Sequence, residues 1–227
     1  MKSSKAGHAK NHSKSEFTRR KILRAARKVF ADHPYRAASI RMIGKAGGFD
    51  HPLIRYYFPN KGVLFERVVA EICEEFYAAN ISWFEGLERL GPREGLSLYL
   101  DRLLDYNFKR PEALRIILIN SPHIDRFEEI PGYQKIPEVL AKTRRTFEEK
   151  TPLRASPDQI GIFINSFNSL LIYYLGASSC QAQILGLDPD SESYRAWVKD
   201  ALLYVFLPLL EKLIFPDTEA APRGRSN

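Results

Sequence analysis

Apolar residues recur at helical spacing along nearly the whole chain. Ile22, Ala25, Ala26, Val29 and Phe30 fall at i, i+3, i+4, i+7 and i+8, with Arg19, Arg20, Lys21, Arg24, Arg27 and Lys28 largely elsewhere around the barrel, which predicts a basic amphipathic helix ending near Asp32, before Pro34. Ser39 is a suitable N-cap for a short second helix that turns Ile40 and Ile43 inward and stops at Gly47-Gly48. Asp50 is expected to cap a third helix, with Pro52 in its first turn and Ile54, Tyr57 and Phe58 on one face; Pro59 ends it. Asn60 then caps a long fourth helix running from Lys61 toward Leu90, roughly 45 Å at 1.5 Å per residue.

Gly91-Pro92 breaks that helix, and Pro92–Lys109, Pro111–Asn120, Gly132–Lys150, Pro157–Cys180 and Ser191–Phe215 continue the pattern between Pro, Gly, Asp and Ser punctuation. Clean period-2 runs, Asn-Gly or Asp-Gly hairpin signals and internal repeats are all missing, so the expected fold is all-α with about nine helices. The uncharged stretch from Gln159 to Leu187 is long enough to cross a bilayer, but Asn165, Ser166, Asn168, Ser169, Gln181 and Gln183 interrupt it and Gly176 and Gly186 divide it. It reads as a helix covered by protein. The expected organisation is a disordered basic arm over 1–15, a helix-turn-helix domain over 16–62, a helical bundle over 63–215 and a flexible tail over 216–227.

Charge sharpens this division. Residues 1–61 hold 15 Lys and Arg against Glu16, Asp32 and Asp50, whereas the remaining 166 hold 19 against 24 carboxylates. A basic first part facing a polyanion and a mildly acidic second part with a separate job follow from that asymmetry. Cys73 and Cys180 offer no disulfide framework and no metal spacing, and the polar N-terminus lacks the apolar run of a signal peptide; an intracellular, cytoplasmic setting is expected. His8 and His12 are the one histidine pair at i, i+4 spacing, in the basic arm, and no metal or cofactor is expected. Neither G-x-S-x-G, H-E-x-x-H, G-x-G-x-x-G nor a Walker loop occurs, so no enzymatic activity is expected.

The pair of short helices around Gly47-Gly48-Phe49 has the dimensions of a helix-turn-helix in the most basic part of the chain. Three runs carry a more specific signal: Thr18-Arg19-Arg20-Lys21-Ile22-Leu23-Arg24-Ala25-Ala26-Arg27-Lys28-Val29-Phe30, Ser39-Ile40-Arg41-Met42-Ile43-Gly44-Lys45-Ala46-Gly47-Gly48-Phe49 and Leu53-Ile54-Arg55-Tyr56-Tyr57-Phe58-Pro59-Asn60-Lys61. Together, from about Thr18 to Val68, they resemble the DNA-binding domain of the tetracycline-repressor (TetR) family. That resemblance implies a homodimeric, ligand-responsive transcriptional regulator, usually a repressor, with a three-helix DNA-binding domain and a larger ligand and dimer domain. The chain departs from the family at Pro34 before Tyr35, at Asp50-His51-Pro52-Leu53 where Ser-Lys-Gly/Ala-Thr is usual, and at Arg55 where a tyrosine is frequent.

In a helix-turn-helix the second helix crosses the backbone and the third lies in the major groove. Ser39 and Arg41 then suit phosphates. With Ile54 and Phe58 facing inward, His51, Pro52, Leu53 and Arg55 face the groove, with Tyr56 at the flank. Tyr57 shares the apolar face and is a contact candidate as well. Arg55 suits guanine O6/N7, Leu53 or Pro52 a thymine methyl, and Tyr56 and Lys61 phosphates.

In the larger domain a ligand cavity would be apolar with a few polar groups; Trp83, Asn107, Phe108, Phe127, Phe163, Phe167 and Asn168 are the candidates, with Asn165 a further buried-looking amide. The last helices carry wide apolar faces. Ile164, Leu171, Tyr174, Ile184, Trp197, Ala201, Tyr204 and Val205 are the expected dimer contacts, in a four-helix interface from two copies. A two-fold dimer demands a near-palindromic DNA operator, with an unidentified small molecule as effector. The competing function is a helical carrier of apolar small molecules whose basic end touches anionic membrane.

Overall fold

A computed structural model describes residues 3–123 and 125–216. All regular structure among them is helical: α1 (Ser3–Asp32), α2 (Ile40–Gly47), α3 (His51–Tyr57), α4 (Lys61–Trp83), α5 (Pro92–Lys109), α6 (Glu112–Asn120), α7 (Lys135–Lys150), α8 (Pro157–Gly176), α9 (Ser178–Leu185) and α10 (Glu192–Ile214), with short 3-10 turns between some of them. Two of the three capping residues read from the sequence, Ser39 and Asn60, act as such, and Ser191 does the same for α10. Ser39 Oγ accepts from the Met42 N–H at 3.3 Å, Asn60 Oδ1 from Val63 at 2.9 Å and Ser191 Oγ from Tyr194 at 3.1 Å, each satisfying a donor that helix geometry leaves free. Asp50 is the exception: its backbone is extended at the N-cap but its carboxylate makes no capping bond. Pro52, the second residue of the helix, lacks one of the two N–H groups a cap accepts from.

Three boundaries differ from expectation. First, α1 starts at Ser3, so the backbone of residues 3–15 is helical where an unstructured arm is expected; no proline precedes Pro34, and the helix extends backward from turns anchored by Ile22 and Phe30. The side chains of His8 and His12 and the tail beyond Pro216 lie outside the described residues. Second, α4 ends at Trp83 instead of Leu90. The chain turns at Gly86, whose φ of 78° is left-handed, and Arg102 Nη1 donates to the freed carbonyls of Trp83 and Glu85 at 2.8 and 2.7 Å. Third, the helix expected over Pro157–Cys180 is two, α8 and α9, bent by 79°. At the bend a Cβ on Gly176 would stand 2.9 Å from the Leu114 carbonyl oxygen, so only glycine lets α8 approach α6 there. No single helix among the described residues is long and apolar enough to cross a membrane.

Two apolar clusters organise these helices. One joins Ile22, Ala26 and Phe30 of α1, Ile43 of α2, Ile54 and Phe58 at α3, and Leu64, Phe65 and Val68 of α4 to Ile116 of α6 and Ile130, Tyr133 and Ile136 before and within α7. The other gathers Trp83 with the inward faces of α5, α8 and α10. The first three helices thus share their core with residues of α4, α6 and α7, beyond the expected division at 62/63. Each buried side chain of this size contributes about 1.5–3 kcal/mol.

Polar contacts reinforce the same junction. Asn120, fully buried at the end of α6, accepts the Tyr35 N–H on Oδ1 at 2.7 Å while its Nδ2 donates to the Ile116 carbonyl at 2.8 Å. Arg27 of α1 makes a two-pronged pair with Glu75 of α4, at 3.0 and 2.8 Å. Replacing Asn120 by alanine leaves the Tyr35 N–H without its acceptor inside the structure, and the expected loss is about 1–3 kcal/mol of unfolding free energy. Urea denaturation followed by circular dichroism measures it; an unchanged midpoint would mean that water replaces the amide.

Candidate nucleic-acid interface

The glycines between α2 and α3 shape the turn that presents the third helix. Gly48 closes α2 with φ 69°, and a Cβ on Gly44 would stand 2.6 Å from the Phe49 carbonyl oxygen, so the returning chain crosses α2 at a point where any larger residue collides. Gly47-Gly48 were legible as a stop signal. Gly44 was not, because the close approach belongs to the folded turn and leaves no mark in local pattern.

Ile54 and Phe58 are buried, which fixes the rotation of α3. His51, Pro52 and Arg55 are then exposed, as are Leu53 at 39% and Tyr56 at 78%. These five residues form the outward face of α3. Tyr57 is half-buried, packs against the first apolar cluster and meets the Tyr56 ring edge-on at 5.1 Å, so it supports the exposed tyrosine from below. Arg41 is exposed on α2 and Ser39 is half-buried with its hydroxyl engaged in the cap. Lys45, exposed in the last turn of α2, adds a cation that the sequence reading passed over. Among the described residues none of Arg41, Lys45 and Arg55 forms an ion pair, so their charge faces solvent.

Lys61, expected at phosphate, has a second set of partners within the fold. Its ammonium donates to the carbonyls of Tyr35 and Ala38 at 2.8 and 2.9 Å and lies 4.5 Å from the centre of the Tyr35 ring. Burial lowers its pKa from the ordinary lysine value. Two of its three N–H groups thus hold the α1–α2 loop from the side of α4, opposite the grip of Asn120. Lysine at the start of a helix shows no sequence feature that separates a staple from a phosphate contact; the position of the loop decides.

In the second cluster, a cavity of about 320 Å³ opens between α4, α5, α7, α8 and α10. Phe163, Phe167 and Asn168 line it, whereas Trp83, Asn107 and Phe108 do not. Trp83 lies one ring behind the wall, edge-on to Phe76 at 5.5 Å; Asn107 turns its Nδ2 to the Leu103 carbonyl at 2.8 Å; and Phe108 packs toward Tyr194. Asn165 is exposed on the outer side of α8, and the side chain of Phe127 lies outside the described residues. Missed by the sequence reading were Phe76, Asn80, Tyr99 and Phe147, which occupy helix faces that a periodicity argument assigns to plain core.

Of the expected dimer contacts, Ile184, Tyr204 and Val205 are exposed, Tyr204 at 86%. Tyr174, Trp197 and Ala201 are half-buried, the first two edge-on at 5.3 Å. Leu171 is 2% exposed and Ile164 half-buried, and both line the cavity. Ile162, Tyr173 and Leu209 are further exposed apolar residues of α8 and α10, and Cys180 of α9 is exposed as well.

Residues 22–68 match the family model described as bacterial regulatory proteins, tetR family. In structure, the chain is similar to a tetR-family transcriptional regulator from Streptomyces coelicolor, with TM-score 0.57 and 16% identity over 91% of this chain and 92% of that one. It is likewise similar to the transcriptional regulator FadR from Bacillus subtilis, solved in complex with stearoyl-CoA, with TM-score 0.58 and 16% identity over 80% and 96%. At such identities the likeness is one of fold. No curated protein matches the sequence.

For Lys61→Met, which keeps an apolar stem and removes the ammonium, we expect a loss of about 1–3 kcal/mol in chemical denaturation, because the Tyr35 and Ala38 carbonyls lose their donor. A lysine that served phosphate alone would leave stability where it is.

Proposed function

We propose that the chain is a transcriptional repressor of the tetR family of bacterial regulatory proteins, whose model its residues 22–68 match, and that it binds a near-palindromic operator as a homodimer and is released by a small apolar or amphipathic effector. The observation that carries the DNA reading is the outward face of α3, where His51, Pro52, Leu53, Arg55 and Tyr56 stand clear of a core that buries Ile54 and Phe58. A helix so seated enters a major groove with Arg55 in reach of guanine O6 and N7 and with Leu53 and Pro52 available to a thymine methyl. Arg41, the Ser39 backbone and Lys45 meet the flanking phosphates.

Two such faces at the spacing of successive major grooves require two subunits. The exposed apolar surface of Ile162, Tyr173 and Ile184 on α8 and α9 and of Tyr204, Val205 and Leu209 on α10 is the surface that a second copy would cover. Effector response has a route in α4: Phe76 and Asn80 line the cavity, and Leu64, Phe65 and Val68, earlier on the same helix, lie in the core that seats α2 and α3. An effector that binds one position of α4 better than another shifts the separation of the two reading heads; one that binds both equally shifts nothing.

Fluorescence anisotropy with DNA fragments from around its own gene tests the reading. Specific binding should fall steeply with salt, by about 0.9 in log K per log unit of salt for each phosphate neutralised. A protein that ignores all such DNA but binds anionic vesicles is the carrier, and the repressor reading fails. Arg55→Ala is expected to cost about 1–3 kcal/mol on operator and little on nonspecific DNA. An intact ratio of specific to nonspecific affinity would remove Arg55 from base reading.

A further inference from the structure

The polar groups in the cavity wall define what class of effector it suits, given the effector role proposed above. Asn80 is 2% exposed and lines the cavity, and its Oδ1 meets no hydrogen-bond donor. Its Nδ2 donates to the hydroxyl oxygen of Tyr99, also in the wall, at 3.0 Å. With that oxygen accepting from the amide, the proton of Tyr99 has no acceptor among the described residues. Burial raises the Tyr99 pKa above its ordinary value, which keeps that proton in place. An acceptor without a donor and a donor without an acceptor thus stand side by side in a mostly apolar wall, where a guest that serves both gains two hydrogen bonds.

From this pair we infer that the effector is a small neutral aromatic molecule with one hydroxyl group, a phenol, whose hydroxyl donates to Asn80 Oδ1 and accepts from Tyr99. A hydroxyl does both from one atom, which suits two groups separated by a single hydrogen bond. A carboxylate has no proton for Asn80, an ammonium has no lone pair for Tyr99, and a hydrocarbon leaves both unmet. The rings of Phe76, Phe147, Phe163 and Phe167 supply the apolar walls, with Phe147 and Phe163 stacked at 5.6 Å, a surface suited to the edge or face of a planar guest.

Charge argues in the same direction. Of the two cations lining the cavity, Arg144 is tied to Glu148 at 2.7 Å and to the Pro157 carbonyl at 3.2 Å, while Lys150 shares the exposed rim with Glu88. No surplus of positive charge is left for an anionic head group. The volume, about 320 Å³, is also at the small end of ligand sites, which run roughly from 300 to 1,000 Å³.

Calorimetric titration of the full chain at pH 7 with 2-naphthol, naphthalene and 2-naphthoate tests the inference. The phenol is expected to bind about tenfold or more tightly than either analogue. In Tyr99→Phe and in Asn80→Leu, each checked for folding by circular dichroism, the preference for naphthol over naphthalene should shrink to about twofold, with naphthalene still bound. Tyr99→Phe removes a single oxygen and carries the test if Asn80→Leu unfolds. Equal binding of naphthol and naphthalene, tighter binding of naphthoate, or a preference that survives Tyr99→Phe would each overturn the phenol assignment while leaving the cavity as an effector site. Failure of all three compounds to bind would overturn both.

Discussion

Helix α4 has to satisfy two cores at once. Its first turns bury Leu64, Phe65 and Val68 against α1, α2 and α3, and its last turn buries Trp83 among α5 and its neighbours. About 1.5 Å of rise per residue puts the two ends of its 23 residues roughly 34 Å apart, and the hydrogen-bonded ladder between them transmits a shift at one end to the other. A helix free to unwind in the middle would leave the two clusters independent. The absence of proline and the single glycine at position 62, at its very start, keep it continuous.

Around α4 the polar contacts concentrate at one place, the loop from Pro34 to Ala38. Lys61 holds the carbonyls of Tyr35 and Ala38 from one side, and Asn120 holds the N–H of Tyr35 from the other. Buried backbone groups outside a helix must find partners, and this loop finds them in α4 and α6 instead of in water. The consequence is mechanical: α2 and α3 are anchored to the larger bundle through α6 as well as through α4, and any rearrangement around the cavity that moves α6 also pulls on the loop leading into α2.

Against this economy the unmet groups at Asn80 and Tyr99 stand out. Asn120 closes its bonds within the fold at both ends, and the Oδ1 of buried Asn107, which also lacks a donor, does not line the cavity. In the cavity wall Asn80 donates to the Tyr99 hydroxyl oxygen while its own Oδ1 meets no donor. Protein interiors carry few such groups, and those adjoining a cavity point to what fills it.

The helical class, the caps at Ser39 and Asn60 and the inward face of α3 follow from the chain alone, because capping and 3.6-residue periodicity act over a few neighbouring positions. The charge asymmetry and the three motif runs were equally legible, and with them the pair of short helices that α2 and α3 form. Tertiary structure decided what local pattern leaves degenerate. Leu171 and Tyr204 look alike as apolar residues on amphipathic helices, yet one is sealed inside and the other lies open, since only the neighbouring helices determine which side is covered. Lys61 became a staple because a loop 23 to 26 residues away in sequence came within 3 Å. The cavity, likewise, is a gap left between five helices, and a gap is a property of how surfaces meet in three dimensions, which no run of residues spells out.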